Sequence, residues 1–269
     1  MGKDVLLYQF MGKDNVPFHS IMFPAFLIGT RENYNLVNYL ASTDYLNYED
    51  KKFSKSKSIG VFGDAAKDTG IVSDVWRYYL FRIRPESGDT QFEWSDFQSK
   101  VNNELVGNFG NFVNRVVMQN EKFFNSITPK SNHELLEKAR PLVEEYKSLL
   151  SSTKIRDALS KANEISSLGN KYLQEKQPWI EVKTNTVLAG ITIANCLDLA
   201  RLLAVIYYPF TPNACEKIFQ ILGEKEDILK IGFERIFKGV EEGRVITPKG
   251  ILFEKLEDKK ITELKQKFG

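Results

Sequence analysis

At 269 residues the chain has room for one large domain or two ordinary ones, with ample material for a core. Its 37 basic and 35 acidic residues leave a formal charge of +2, which excludes a strong overall field for nucleic acid and confines any such binding to a local patch. Two cysteines, Cys196 and Cys215, and two histidines, His19 and His133, exclude a disulfide framework or zinc knuckle and suit a reducing, cytoplasmic setting. The opening Met1-Gly2-Lys3-Asp4 carries no apolar run with a cleavage site, and Leu6 stands where a myristoylation signal needs Ser or Thr. The longest apolar tract, 187–210, is broken by Asn195, Asp198 and Arg201, so it reads as a buried helix and not as a membrane span.

In chain order, Val5-Leu6-Leu7-Tyr8-Gln9-Phe10 predicts an interior strand ending just before Gly12. Asp14 then stands beyond the carboxyl end of that strand, where parallel sheets bind ligands. An aspartate there either receives the ribose hydroxyls of a nucleotide or makes an Asx-turn into a helix. Residues 18–27 predict a helix closed by Gly29, with His19 as a hydrogen-bonding side chain at its start. The stretch 34–48 mixes loop with a short strand over 44–47. Residues 51–58 then hold four lysines (Lys51, Lys52, Lys55, Lys57) and three hydroxyls (Ser54, Ser56, Ser58), and run through Ile59 into Gly60. Such a run is either a solvated surface loop or a mobile arm that closes over phosphate, with lysine charge, hydroxyl donors and a glycine that lets backbone approach an anion.

Ser73 and Asp74 predict a cap for a helix over 75–83, with Trp76, Tyr79, Leu80 and Ile83 on one face. Ser95 or Asp96 is expected to cap the next helix, and a domain boundary is placed near residue 90. From 97 to about 234 the period is helical. Over 101–124, Val101, Leu105, Phe109, Phe112 and Val116 form an apolar face. Glu104, Gly107, Asn108, Asn111 and Arg115 form a polar stripe opposite, which either is plain solvated surface or reads base edges. Two amphipathic helices follow over 134–152 and 154–176, the first interrupted by Pro141, and Gln177-Pro178 breaks the second. Trp179 just beyond is either a buried anchor or a plane for a splayed base. Residues 184–208 form the central helix, Thr211-Pro212 open another as cap and first helical residue, 244–246 and 251–253 read as strand-like, and 254–267 as a frayed helix or linker.

The run Phe10-Met11-Gly12-Lys13-Asp14-Asn15-Val16-Pro17-Phe18-His19, followed by Lys52-Phe53-Ser54-Lys55-Ser56, resembles the second half of a class I aminoacyl-tRNA synthetase catalytic domain. The likeness is to methionyl-tRNA synthetases of the eukaryotic and archaeal kind, with Phe53 where most members carry methionine. It continues through Trp76-Arg77-Tyr78-Tyr79-Leu80, residues 111–115 and Gln177-Pro178-Trp179. The resemblance implies an α/β part followed by an all-α part. Residues 1–90 would be the C-terminal part of a Rossmann-like catalytic domain, 91–240 a helical anticodon-binding bundle, and 241–269 a tail that packs back or links onward.

It implies activation of methionine by ATP with Mg2+ as the substrate complex, transfer to tRNA(Met), and no protein-bound metal in this portion. ATP would meet Gly12, Asp14, Lys52, Ser54, Lys55 and Ser56, with Lys52 and Lys55 catalytic through the charge that builds on pyrophosphate. Methionine would meet Asn15 and His19. Asn111, Arg115 and Trp179 would hold the anticodon. Bacterial members carry a further asparagine where Gly107 stands here, so its role would either pass to the neighbouring Asn108 or go unfilled. The family's His-x-Gly-His run is absent from these residues, so the resemblance also implies that the N-terminal half of the catalytic domain is missing and would be a partner. A non-catalytic anticodon-binding module is the alternative, and a helical scaffold a more distant one.

Overall fold

The computed structural model describes residues 5–49, 51, 53, 54, 56 and 59–268. They divide into two compact units, Met1–Gly60 with Ile83–Glu93, and Val61–Arg82 with Trp94–Gly269.

The first unit is α/β. Strand β1 (Tyr8–Gly12) is followed by a π-helical turn (Phe18–Met22) that continues as α1 (Phe23–Gly29). The chain returns as β2 (Tyr39–Thr43), parallel to β1 in the register Tyr8↔Tyr39 to Gly12↔Thr43. Parallel neighbours need such a crossover. Strand β3 (Leu46–Tyr48) pairs in parallel with β4 (Thr90–Phe92). The strand expected over 5–10 thus lies further on. Among the described residues it pairs with one strand, β2. Of the strand expected over 44–47 only Leu46 and Asn47 lie in a strand, β3, because Asp44 and Tyr45 leave the ladder. Their amides donate to the Pro85 carbonyl (2.9 Å) and to Asp89 Oδ1 (3.0 Å) instead. Phe10, Phe18, Ile21, Phe26 and Ile28 are each more than half exposed, so this unit leaves an apolar face uncovered.

The second unit is all-α. It comprises α2 (Gly63–Ala66), α3 (Ser73–Arg82), α4 (Trp94–Lys100), a π-helical stretch (Val101–Gly110), α5 (Asn111–Phe124), α6 (Glu134–Ser151) and α7 (Ile155–Lys176). Then come α8 (Pro178–Glu181), α9 (Thr186–Tyr207), α10 (Pro212–Ile221) and α11 (Asp258–Phe268). Helix α9 is apolar on all sides and takes the centre, with α5, α6, α7, α8 and α10 packed around it. It alone among the described residues is long and apolar enough to cross a membrane, yet 89% of that window is buried within the protein. Gly169 lets α7 approach closely. A Cβ there would stand 2.7 Å from Leu199 of α9 and from Phe112 of α5.

Several local expectations change. The buried face of α3 is Val75, Tyr78 and Tyr79, and Leu80 is 45% exposed. Asp74 does not cap its own helix. Its buried carboxylate accepts from the Ala214 amide and the Asn213 side chain, each at 2.8 Å, and so caps α10. Thr211, at the N-cap position of α10, makes no capping bond, because its hydroxyl turns back to the Tyr207 carbonyl. Helix α4 begins at Trp94, and Asp96 accepts from the Tyr79 hydroxyl (2.8 Å) and from Lys100. Pro141 sits inside α6 without ending it. Of the strand-like reading over 244–246, a single bridge from Val245 to Ile127 remains. The tail folds back as a real helix. Ile261, Leu264 and Phe268 are buried, Leu256 exchanges hydrogen bonds with Asn102 (2.8 and 2.9 Å), and Phe253 is buried with its ring 6.1 Å from that of Phe109.

Asp74→Ala leaves a buried amide and a side-chain amide without an acceptor. It is expected to cost about 1–3 kcal/mol. The check is the urea midpoint, and an unchanged midpoint would show that water replaces the carboxylate.

Candidate functional site

Two regions gather the predicted residues, one in each unit. In the first unit Gly12 closes β1 with φ −73° and ψ 153°, a conformation open to any residue. Nothing lies within 4 Å of where its Cβ would stand, so the chain's own packing does not demand a glycine. The space above it is open to a ligand. Asp14 follows, exposed, its carboxylate accepting from the hydroxyl of Tyr45. That bond is the largest cause that raises the Tyr45 phenol above its ordinary pKa. Lys13 is held between Asp44 (3.0 Å) and Asp89 (2.9 Å), with its ammonium 4.4 Å from the centre of the Tyr45 ring. Hydrogen bonds to Asp89 and then Asp44 push its pKa up. The ring of His19 is half-buried, with Nδ1 3.0 Å from Gln9 Oε1 of β1, and Asn15 is exposed nearby in sequence.

Within the lysine-rich run the described residues are Lys51, Phe53, Ser54, Ser56, Ile59 and Gly60. Ser54 and Ile59 exchange backbone hydrogen bonds at 3.1 and 3.0 Å, and the Ser54 and Ser56 hydroxyls lie 3.3 Å apart. Phe53 packs on Tyr48, with ring centres 5.2 Å apart, and occupies the place where a Gly60 side chain would stand. Gly60 has φ +103°, so glycine is required there twice over. Lys52 and Lys55 lie outside the described residues.

In the second unit the polar stripe divides at the π-helical stretch. Hydrogen bonds of the i→i+5 kind take more residues per turn than the 3.6 of an α-helix. Gly107 and Gly110 suit that crowded backbone, since a Cβ would stand 3.0 Å from the Asn102 carbonyl at the first and 2.9 Å from that of Leu105 at the second. The change of period turns Glu104 and Asn108 inward. Glu104 accepts from the Tyr78 hydroxyl (2.5 Å) and Arg82 (3.1 Å), and Asn163 bonds Tyr78 and Tyr207 beside it. Asn108 donates to the Asn163 carbonyl (2.9 Å) and Ser167 (3.0 Å) and accepts from Asn170 (3.0 Å). Its amide is therefore engaged on α7 and does not face solvent as a free reader.

Asn111 and Arg115, four apart on α5, face outward, the first exposed and the second half-buried. The Arg115 guanidinium lies 5.6 Å from the centre of the half-buried Trp179 ring, within cation–π range. Trp179 reaches that place because Gln177 takes a left-handed turn (φ 45°, ψ 56°) between α7 and α8, with Pro178 buried as the first residue of α8. Residues 64 apart in sequence thus build one patch of amide, guanidinium and aromatic plane. Among the described residues no group of three or more His, Cys, Asp or Glu side chains is placed to hold a metal ion.

No local sequence pattern marks Tyr45, Gln9 and Asp89 as neighbours of the candidate residues. Each acts through a partner 10 to 76 positions away.

A family model described as tRNA synthetases class I (M) matches residues 1–117, and one described as the anticodon binding domain of methionyl tRNA ligase matches residues 125–269. The chain belongs to the class I aminoacyl-tRNA synthetases, in the methionyl family. It is 42% identical over 277 residues to the cytoplasmic methionine–tRNA ligase of Xenopus laevis, covering 99% of this chain and 30% of that protein. The cytoplasmic human enzyme is 42% identical over 275 residues, covering 99% and 31%. The methionine–tRNA ligase of Borreliella afzelii is 41% identical over 270 residues, covering 99% and 37%. The chain thus spans about a third of the length of these relatives. In fold it is similar to Mycobacterium tuberculosis methionyl-tRNA synthetase in complex with methionyl-adenylate, with a TM-score of 0.80 at 22% identity, covering 91% of this chain and 49% of that one.

Proposed function

We propose that this chain is a portion of a methionine–tRNA ligase that activates methionine with ATP and Mg2+ and transfers it to tRNA(Met). Residues 1–90 supply part of the catalytic domain, 91–240 the anticodon-binding bundle and 241–269 the tail that closes over it. The observation that carries this reading is the 42% identity to methionine–tRNA ligases over 99% of the chain, through both units. Gly12 and Asp14 are the nucleotide-facing pair, His19 and Asn15 line the methionine side, and Ser54, Ser56, Lys52 and Lys55 meet the phosphates. Lys52 and Lys55 act by stabilising charge on the leaving pyrophosphate. The cytoplasmic relatives support a cytoplasmic setting.

These 269 residues contain no His-x-Gly-His run. The chain by itself is therefore expected to give no methionine-dependent exchange between pyrophosphate and ATP above a protein-free blank, with the N-terminal half of the catalytic domain as its partner in activity. Exchange clearly above the blank, and abolished by Lys55→Ala, would show that the chain suffices alone. In a complete enzyme Lys55→Ala should slow adenylate formation and leave methionine affinity nearly unchanged, as a contact made in the transition state does.

The second reading, an anticodon-binding module without catalysis, is favoured by the closed core of the second unit and by the juxtaposition of Arg115 with Trp179. Hairpin binding in the absence of exchange activity is its expected signature.

A further inference from the structure

We propose that Tyr45 is a positioning residue that sets the Asp14 carboxylate to receive a vicinal diol, the ribose of a nucleotide. The inference rests on the reading of Asp14 as the ribose-facing group and adds the device that holds it. Asp14 is exposed, on a short turn that follows β1. A carboxylate so placed swings freely in solvent, and ordering it on binding costs side-chain entropy. The Tyr45 hydroxyl removes that freedom by donating to Asp14 Oδ2. An ionised carboxylate has about four lone-pair sites. One donor on Oδ2 therefore leaves Oδ1 and its lone pairs for two hydroxyls.

Tyr45 is itself held on three sides. Its amide donates to Asp89 Oδ1 at 3.0 Å, and its ring lies 4.4 Å beneath the Lys13 ammonium. The preceding residue is pinned through the Asp44 amide to the Pro85 carbonyl at 2.9 Å. Lys13 bridges Asp44 and Asp89, so the same cation closes the turn of Asp14 onto the segment of Tyr45. Lys13 is thereby bound to protein carboxylates and serves to lock the cage, with Tyr45 as the part that touches Asp14.

Equilibrium binding of ATP and of 2′,3′-dideoxy-ATP to the full 269-residue chain, by ligand-observed NMR, tests this. The wild-type chain is expected to prefer ATP by about tenfold, the worth of one charge-assisted hydrogen bond. Asp14→Asn should erase that preference. Tyr45→Phe should reduce it to about threefold or less and leave dideoxy-ATP binding and the melting temperature unchanged, since Tyr45 is 45% exposed. A collapse of the fold would weaken both nucleotides alike and leave the ratio where it was. If Asp14→Asn erases the preference and Tyr45→Phe keeps it whole, the positioning role is overturned and the reading of Asp14 stands. If the wild-type chain shows no preference, or Asp14→Asn keeps it, the ribose reading itself fails, and Tyr45 with it. Alkaline titration of the Tyr45 phenol gives the independent readout: its raised pKa should fall in Asp14→Asn.

Discussion

Glu224→Leu is expected to lower the melting temperature of the helical unit by roughly 6–20 °C. Glu224 is 7% exposed on its side chain and pairs with Arg201 at 2.9 Å, whose own side chain is wholly buried in α9. Arg244 comes within 2.6 Å of the same carboxylate oxygen. Removing one partner of a buried pair leaves an uncompensated charge and costs about 3–5 kcal/mol. For a unit of about 200 residues each kcal/mol moves the midpoint by about 2–4 °C. Arg201 has little else to fall back on. Nη1 donates to the carbonyl of Lys238 at 2.9 Å, and Nη2 is buried without a hydrogen-bond partner among the described residues. Glu224→Gln keeps an acceptor and should cost less than Glu224→Leu. A calorimetric midpoint within about 2 °C of wild type for Glu224→Leu, less than 1 kcal/mol on the same scale, would mean that the site hydrates and the pair contributes nothing net.

Trp179→Ala is expected to weaken binding of a CAU-loop hairpin by about 1–3 kcal/mol, the usual worth of one stacked base, and to weaken a scrambled loop less. Arg115 lies over the ring, so the two side chains form one surface before any RNA arrives. Arg115→Ala should lower affinity for every hairpin and reduce the slope of log K against log salt by about 0.7, the value for one phosphate contact to a single strand. The two variants thus separate stacking from charge. Titration at low salt, followed by filter binding or tryptophan fluorescence, measures both. The other two tryptophans, Trp76 and Trp94, stack in an aromatic cluster with Phe97, so Trp179 is the one placed to report. Unchanged hairpin affinity with a melting temperature many degrees lower would make Trp179 a core anchor and overturn the RNA reading of the patch.

The elements read best from sequence are those whose pattern is local. Helix α9 announces itself by apolar residues on every face, and the seam of Leu159, Ala162, Ile165, Leu168 and Tyr172 by its spacing on α7; all of these are buried except Leu168, which is half-buried. The position of Gly12 and Asp14 after a strand is legible in the sequence, and their nucleotide role is what the family resemblance implies. The four-residue interval puts Asn111 and Arg115 on one face of α5, while the break at Gln177-Pro178 leaves Trp179 as anchor or stacking plane, and its place at an anticodon is what the family resemblance implies. What the tertiary structure alone decided depends on partners distant in sequence. A uniform 3.6 period put Glu104 and Asn108 on the outer stripe with Asn111, and the π-helical stretch turned both inward to α3 and α7. Asp74 looked like the cap of its own helix and caps one that begins 138 residues later, because packing brings the unpaired amides at the start of α10 against its buried carboxylate. The strand read over 44–47 begins only at Leu46, because the Asp44 and Tyr45 amides found backbone and carboxylate acceptors at Pro85 and Asp89. The hold of Tyr45 on Asp14 spans 31 residues and leaves no periodic trace. Local patterns record which face of an element avoids water, and so they specify elements and cores. A hydrogen bond or ion pair between remote residues is set by where the packed elements bring them, and only the folded chain contains that information.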